Sequence, residues 1–148
     1  MNQVVVKQEK SGYQIVEAYK SLRTNLQFCG EDKKVIAVTS CTPNEGKSSV
    51  SMQLGISLAE SGKRVILIDV DLRKSVLLGR TKTQKSVRGL AHFLSGQATL
   101  EDVICSTNVK NFYMIYSGPF PPNPAELLGG KNFRSLLNAL RKVYDYVI

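Results

Sequence analysis

Residues 41–49 read Cys-Thr-Pro-Asn-Glu-Gly-Lys-Ser-Ser, and residues 65–73 read Val-Ile-Leu-Ile-Asp-Val-Asp-Leu-Arg. The first stretch carries the second half of a phosphate-binding loop. It follows the apolar run Val35-Ile36-Ala37-Val38 and leads into a segment with helical spacing, the strand-loop-helix setting in which such a loop binds nucleotide phosphates. Converging backbone N–H groups at a helix start attract a polyanion. Gly46 supplies backbone freedom, Lys47 can place its ammonium between the β- and γ-phosphates, and the Ser48 hydroxyl can join the shell of Mg²⁺. Ser49 can meet the α-phosphate through its backbone, while Thr42, Pro43, Asn44 and Glu45 complete the loop around the phosphates. Cys41 stands where the general pattern has its first glycine. With no histidine beside it in sequence, it reads as a small loop residue and not a nucleophile. A chance Gly-Lys-Ser at a helix start is the competing reading, and the agreement of strand, loop and helix weighs against it.

The second stretch ends an apolar strand in two acids. In open parallel sheets, ligands bind at the carboxyl ends of strands. If the chain stays extended, Asp69 and Asp71 leave it on one face and can both reach a metal-phosphate centre. Mg²⁺ prefers hard oxygen ligands, so Asp69, Ser48 and phosphate oxygens suit it, and either acid could accept a proton from an attacking hydroxyl. The plainer alternative is a turn cap and a solvated acid, which accounts for Asp71 better than for Asp69.

Positioning these groups requires alternating strands and helices. Residues 11–28 place Ile15, Tyr19, Leu22 and Leu26 on one helical stripe, with Gly30 as a stop. A strand is expected over 35–39 and a helix over 48–60 with Val50, Leu54 and Leu58 inward, ended by Gly62. Residues 65–68 are apolar throughout, as in a strand buried on both faces. Residues 72–87 lack a period and read as a surface loop, with at most one helical turn at its start. Residues 90–94 suggest a short helix, Thr99 an N-cap, 112–116 a third strand, Asn123-Pro124 a helix start and Asn132 the cap of the next helix. In that last helix Phe133, Leu136, Leu137, Leu140 and Val143 make the core stripe, and residues 146–148 begin another strand. The fold class is therefore α/β: a doubly wound, mainly parallel sheet flanked by helices, as in P-loop NTPases. Its last strand breaks off after three residues, from which a piece of a longer domain is expected.

Length and charge narrow the class further. The 148 residues suit one domain, and 43% of them are hydrophobic, as in ordinary globular chains. No apolar run approaches the roughly 18 residues of a membrane span, and no secretory pattern opens the chain, so a cytosolic or peripheral protein is expected. Cys29, Cys41 and Cys105 are odd in number and lack zinc-ligand spacing, which with the lone His92 leaves no zinc cluster and suggests reduced thiols. The net charge of +8 includes Arg73, Lys74, Arg80, Lys82, Lys85 and Arg88 in a stretch without acids. That stretch reads as a solvated basic loop or as a surface for anionic partners; it lacks the interleaved aromatics and the recognition helix expected for nucleic acid.

Residues 66–73, Ile-Leu-Ile-Asp-Val-Asp-Leu-Arg, closely resemble the second Walker motif of the bacterial tyrosine kinases of capsule and exopolysaccharide synthesis, three aliphatics followed by Asp-x-Asp-x-Arg. Glu17-Ala18-Tyr19-Lys20-Ser21-Leu22-Arg23 is similar to their oligomerisation helix, with Lys20 where the family has its first arginine. The segments Gly118-Pro119 to Leu128 and Tyr144-Asp145-Tyr146-Val147-Ile148 also resemble family signatures, so the likeness spans nearly the whole chain. It implies ATP-dependent phosphorylation of tyrosine with Mg²⁺: Lys47 on phosphate, Ser48 on the metal, Asp69 as metal-linked base, and Asp71 and Arg73 in support. It further implies an oligomerisation region over 1–30, a nucleotide core over 31–148, and a homo-oligomeric ring with Glu17, Lys20 and Arg23 at the interface, where lysine in place of arginine loses a bidentate fork. An exposed charged helix face is the plainer reading of those three. The resemblance also implies a membrane-bound activator that holds a cytoplasmic kinase at the inner membrane face, and protein tyrosine substrates. The family pattern continues past Asp-Tyr-Val-Ile into a third Walker motif with a further aspartate and a tyrosine-rich tail. Tyr144 and Tyr146 read as packing residues, not acceptors. Two other readings stand beside this one: a nucleotide-switched positioning ATPase similar to ParA and MinD, which usually carries an extra lysine early in the loop where residues 40–45 have none, and a non-catalytic oligomerising copy.

Overall fold

The computed structural model describes residues 1–8, 10–83 and 86–148. Lys85 of the basic stretch lies outside them. Among the described residues six strands form one sheet: β1 (Asn2–Val6), β2 (Val65–Ile68), β3 (Thr81–Thr83), β4 (Cys105–Thr107), β5 (Phe112–Ile115) and β6 (Tyr146–Val147), in the order β3-β1-β4-β5-β2-β6. The pairs β1–β4, β2–β5 and β2–β6 are parallel; β1–β3 and β4–β5 are antiparallel.

The apolar run at 65–68 sets the layering. Alternate side chains of a strand point to opposite faces. Val65 and Leu67 join a core with Leu54 and Leu58 of α2 (Lys47–Glu60), Phe112 and Met114, against which Tyr19 and Leu26 of α1 (Tyr13–Phe28) also pack. Ile66 and Ile68 join a second core with α3 (Leu90–Leu94), α4 (Leu100–Val103) and Leu136 and Leu140 of α6 (Lys131–Val143), which follows α5 (Pro124–Gly129). The sheet is thus covered on both sides, the arrangement expected of a doubly wound α/β protein. At the top of β5 the chain passes close to the start of α3: a side chain on Gly89 would lie 2.3 Å from the Gly118 nitrogen, and only glycine leaves room for the bond from the Leu90 N–H to the Tyr116 carbonyl at 2.6 Å.

Several expected elements differ. In place of a strand over 35–39, Val35 makes one parallel bridge to Val147, flanked by the Ile36 N–H donating to the Val147 carbonyl and the Val147 N–H donating to the Lys34 carbonyl, both at 2.8 Å. The expected loop over 72–87 contains a 3₁₀ turn, Leu78–Arg80, and β3, and it is anchored by buried Leu72, Leu77 and Thr81. Strands β1 and β4 fall where no strand was expected. Asn132 does not cap α6; Gly130 holds that position and the Asn132 amide donates to the Leu94 carbonyl. Ile15, Leu22, Val50 and Val143 lie exposed, off the stripes assigned to them, since each helix turns a narrower face to the sheet. Thr99 does cap α4, in a reciprocal pair with Asp102. Among the described residues no helix is long and apolar enough to cross a membrane.

Candidate nucleotide site

The helix at Lys47 begins because the loop before it turns through two left-handed residues, Asn44 (φ 64°) and Gly46 (φ 82°). Glycine adopts that conformation without steric cost and asparagine with little. Hydrogen bonding within α2 starts with the Val50 N–H donating to the Gly46 carbonyl at 2.9 Å. Among the described residues the N–H groups of 46–49 have no acceptor, which leaves four donors at the positive end of the helix dipole. This is the chemistry a phosphate group requires. The Lys47 ammonium rests 3.2 Å from the Ser40 hydroxyl, which donates to the Thr42 carbonyl at 3.0 Å, so the cation stays over the loop it belongs to. Thr42, Pro43, Asn44 and Glu45 are exposed, and Gly46, Lys47, Ser48 and Ser49 are half-buried. The Thr42 hydroxyl and N–H hold the Glu45 carboxyl below the ordinary carboxylate range.

Asp69 follows β2 directly and is 6% exposed. Its N–H donates to the Ile115 carbonyl at 2.8 Å, which continues the β2–β5 pairing for one residue beyond the strand. Burial pushes its carboxyl above the ordinary value; bonds from the Ser75 hydroxyl and the Asp71 N–H, the latter 3.1 Å long, oppose the rise. Two engaged oxygens fix the carboxylate's orientation. The chain does not stay extended past it: the Leu72 N–H donates to the Val70 carbonyl, and exposed Asp71 turns its carboxylate onto the N–H groups of Arg73 (3.3 Å) and Lys74 (2.9 Å). Asp69 and Asp71 therefore separate into a buried acid and an exposed turn cap. Arg73 is exposed. The hard-oxygen donors of Asp69 and Ser48 suit Mg²⁺ in kind.

Helix α1 keeps Glu17 and Lys20 paired with each other at 3.0 Å on its surface, while Arg23 reaches inward to Ser57 of α2. Tyr144 is buried, its ring 5.4 Å from that of Tyr113 and beneath the Arg64 guanidinium, and Tyr146 is buried as well.

Three residues at the site escaped the sequence reading. Ser40 holds the lysine, Ser75 holds Asp69 from six residues away, and the Arg80 guanidinium donates to the Ser49 hydroxyl at 2.6 Å. Serine at such offsets carries no motif, and Arg80 was absorbed into the basic stretch.

Comparison with known proteins agrees with this geometry. A family profile described as "AAA domain" matches residues 33–148. The tyrosine-protein kinase CpsD of Streptococcus pneumoniae serotype 4 is 45% identical over 132 residues, which are 89% of this chain and 58% of that protein. The chain thus spans somewhat more than half the length of such relatives. Among solved structures, the BceF tyrosine kinase domain is 42% identical with a TM-score of 0.80, covering 89% of this chain and 53% of the other. The kinase domain of the Escherichia coli tyrosine kinase ETK is 29% identical with a TM-score of 0.85, covering 98% and 66%.

Proposed function

The chain belongs to the AAA domain family, among the P-loop ATPases that include the bacterial tyrosine kinases, and from that premise we propose that it carries the nucleotide site of a protein-tyrosine kinase acting in capsular or exopolysaccharide synthesis. The observation that carries this reading is the pairing of a phosphate loop, whose N–H groups at 46–49 have no acceptor among the described residues, with a buried carboxylate at the end of β2.

In this reading Lys47 and the N–H groups of 46–49 bind the phosphates of ATP and orient them. Ser48 and Asp69 would hold Mg²⁺, which when bound neutralises charge on the phosphate oxygens. A tyrosine hydroxyl forms the new O–P bond to the γ-phosphorus as the bond to the β-phosphate oxygen breaks, ADP leaves, and Asp69 takes the hydroxyl proton. Its place at the end of β2 and its two hydrogen bonds hold that carboxylate in one orientation for the transfer. Asp71 shapes the turn that follows, and Arg73 adds positive charge beside it.

Homo-oligomerisation is part of the proposal. It is supported by the apolar side chains that α1 leaves exposed, Tyr13, Ile15, Val16, Leu22 and Phe28, beside the Glu17–Lys20 pair. A membrane-bound activator would bring the kinase to the inner face of the membrane, and the +8 charge is compatible with an anionic surface there.

The test is incubation of the protein with Mg²⁺, ATP labelled on the γ-phosphate and a tyrosine-containing acceptor peptide. Label on tyrosine that is lost in Lys47→Met supports the proposal. Release of inorganic phosphate without phosphotyrosine would assign the site to a nucleotide-switched ATPase instead.

A further inference from the structure

We propose that Arg80 is a phosphate ligand of this nucleotide site, parked on the Ser49 hydroxyl and available to the α-phosphate. The inference rests on the nucleotide-binding reading above and adds to it a residue that neither Walker motif contains. Arg80 lies eleven positions after Asp69, at the end of the 3₁₀ turn, where its Nη1 donates to Ser49 Oγ at 2.6 Å. Ser49 is the third residue of α2, within the turn whose N–H groups have no acceptor among the described residues.

The backbone on either side of Arg80 is fixed. Its own N–H donates to the carbonyl of buried Leu77 at 3.0 Å, and the next residue, Thr81, is buried with its hydroxyl 2.6 Å from that of Tyr116. The Lys7 N–H approaches the Arg80 carbonyl at 3.4 Å. A long cationic side chain thus leaves a rigid base and spans to the first turn of α2.

Its present partner is a poor match. A guanidinium carries five N–H donors and a full charge, and a serine hydroxyl is a neutral acceptor. The ion pairs among the described residues are Lys20–Glu17 and Lys33–Asp32, and Arg80 takes part in neither. Beside it opens a groove of about 400 Å³ whose lining, among the described residues, includes Lys7, Arg80, Ser49, Tyr19 and Met52, with two cations and no carboxylate. A phosphate reaching the first turn of α2 would offer the fork two charged oxygens in place of one hydroxyl, and charge-assisted bonds of that kind are about twice as strong as neutral ones.

Because the α-phosphate is common to both nucleotides, Arg80→Ala is expected to weaken Mg-ADP and Mg-ATP equally, by roughly tenfold or more, in calorimetric titration. Arg80→Lys is expected to recover part of the loss. A parallel measurement on the unaltered protein uses an arginine-selective dicarbonyl read by mass spectrometry: Mg-ADP should slow modification of Arg80 and leave that of Arg134 unchanged. Unchanged nucleotide affinity in Arg80→Ala, or equal modification of Arg80 with and without Mg-ADP, would overturn the inference and make Arg80 a clasp for the fold. A loss confined to ATP would overturn the α-phosphate assignment. Absence of nucleotide binding by the unaltered protein would overturn the underlying reading, and this one with it.

Discussion

The Arg23 guanidinium donates to the Ser57 carbonyl at 2.7 Å and to the Ser57 hydroxyl at 3.2 Å, so the helix residue implied to face a neighbouring subunit fastens α1 to α2 of its own chain. Glu17 and Lys20, one turn earlier, are bonded to each other at the surface. One charged helix therefore holds two kinds of group, a clasp and a solvated pair.

These should separate in thermal unfolding. Arg23→Ala is expected to destabilise the fold by about 1 kcal/mol, since a charged donor and a carbonyl lose each other. Lys20→Ala should stay within about 0.5 kcal/mol of the parent, as exposed pairs do. Equal losses in the two variants would remove the distinction.

Asp69 is buried and its carboxyl is raised, so the folded state favours the protonated acid. As pH rises from below the ordinary value of 3.8 through the raised folded value, the unfolded chain ionises first and stability falls. Asp69→Asn removes the buried charge and should stabilise the fold at neutral pH by an amount on the order of 1 kcal/mol, a gain common where activity sets the residue. A melting temperature below the parent's would count against the burial argument.

The Tyr116 hydroxyl meets Thr81 inside the sheet, and burial pushes its pKa up to about 12 from an ordinary 10. Between those two values the unfolded chain loses the proton before the folded one does, so stability should fall as pH climbs from 10 towards 12. Tyr116→Phe removes one bond of Thr81, whose hydroxyl keeps the Leu78 carbonyl, for a cost of about 1 kcal/mol and a shallower alkaline decline in denaturant titrations. An unchanged decline would assign the effect elsewhere.

Thiol labelling reports on the loop directly. Cys29 and Cys41 are exposed, whereas Cys105 is buried with its thiol raised to about 11. A maleimide at neutral pH should modify the first two quickly and Cys105 only on unfolding. Mg-ADP should protect Cys41 and not Cys29; protection of both or of neither would place the nucleotide away from residues 41–49.

The parts of this fold legible in sequence are those with local causes. Four consecutive apolar residues marked β2, the glycine-lysine pair marked the start of α2, and Thr99 with Asp102 marked α4. Strands β1 and β4 pair across a hundred positions, helped by the Asn108 side chain accepting from the Val6 N–H at 2.7 Å, and nothing within either short segment announces a partner so distant. The same holds at the site. Lys47 and Asp69 stood in recognisable patterns, but their orienting partners Ser40 and Ser75 do not, and Arg80 meets Ser49 only because Leu77 and Thr81 bury the ends of its turn. Period-based stripes also overreached at Ile15, Val50 and Val143, where the exposed flank of a helix carries apolar residues that no core claims.

The central claim is that Asp69 accepts the proton of a tyrosine hydroxyl while the phosphate loop holds the nucleotide. The most direct test measures nucleotide binding and transfer of labelled γ-phosphate to a tyrosine peptide in the same samples of the parent and Asp69→Asn. Both proteins should bind Mg-ADP, and only the parent should yield phosphotyrosine. Phosphotyrosine formed by Asp69→Asn at the parental rate would contradict the account.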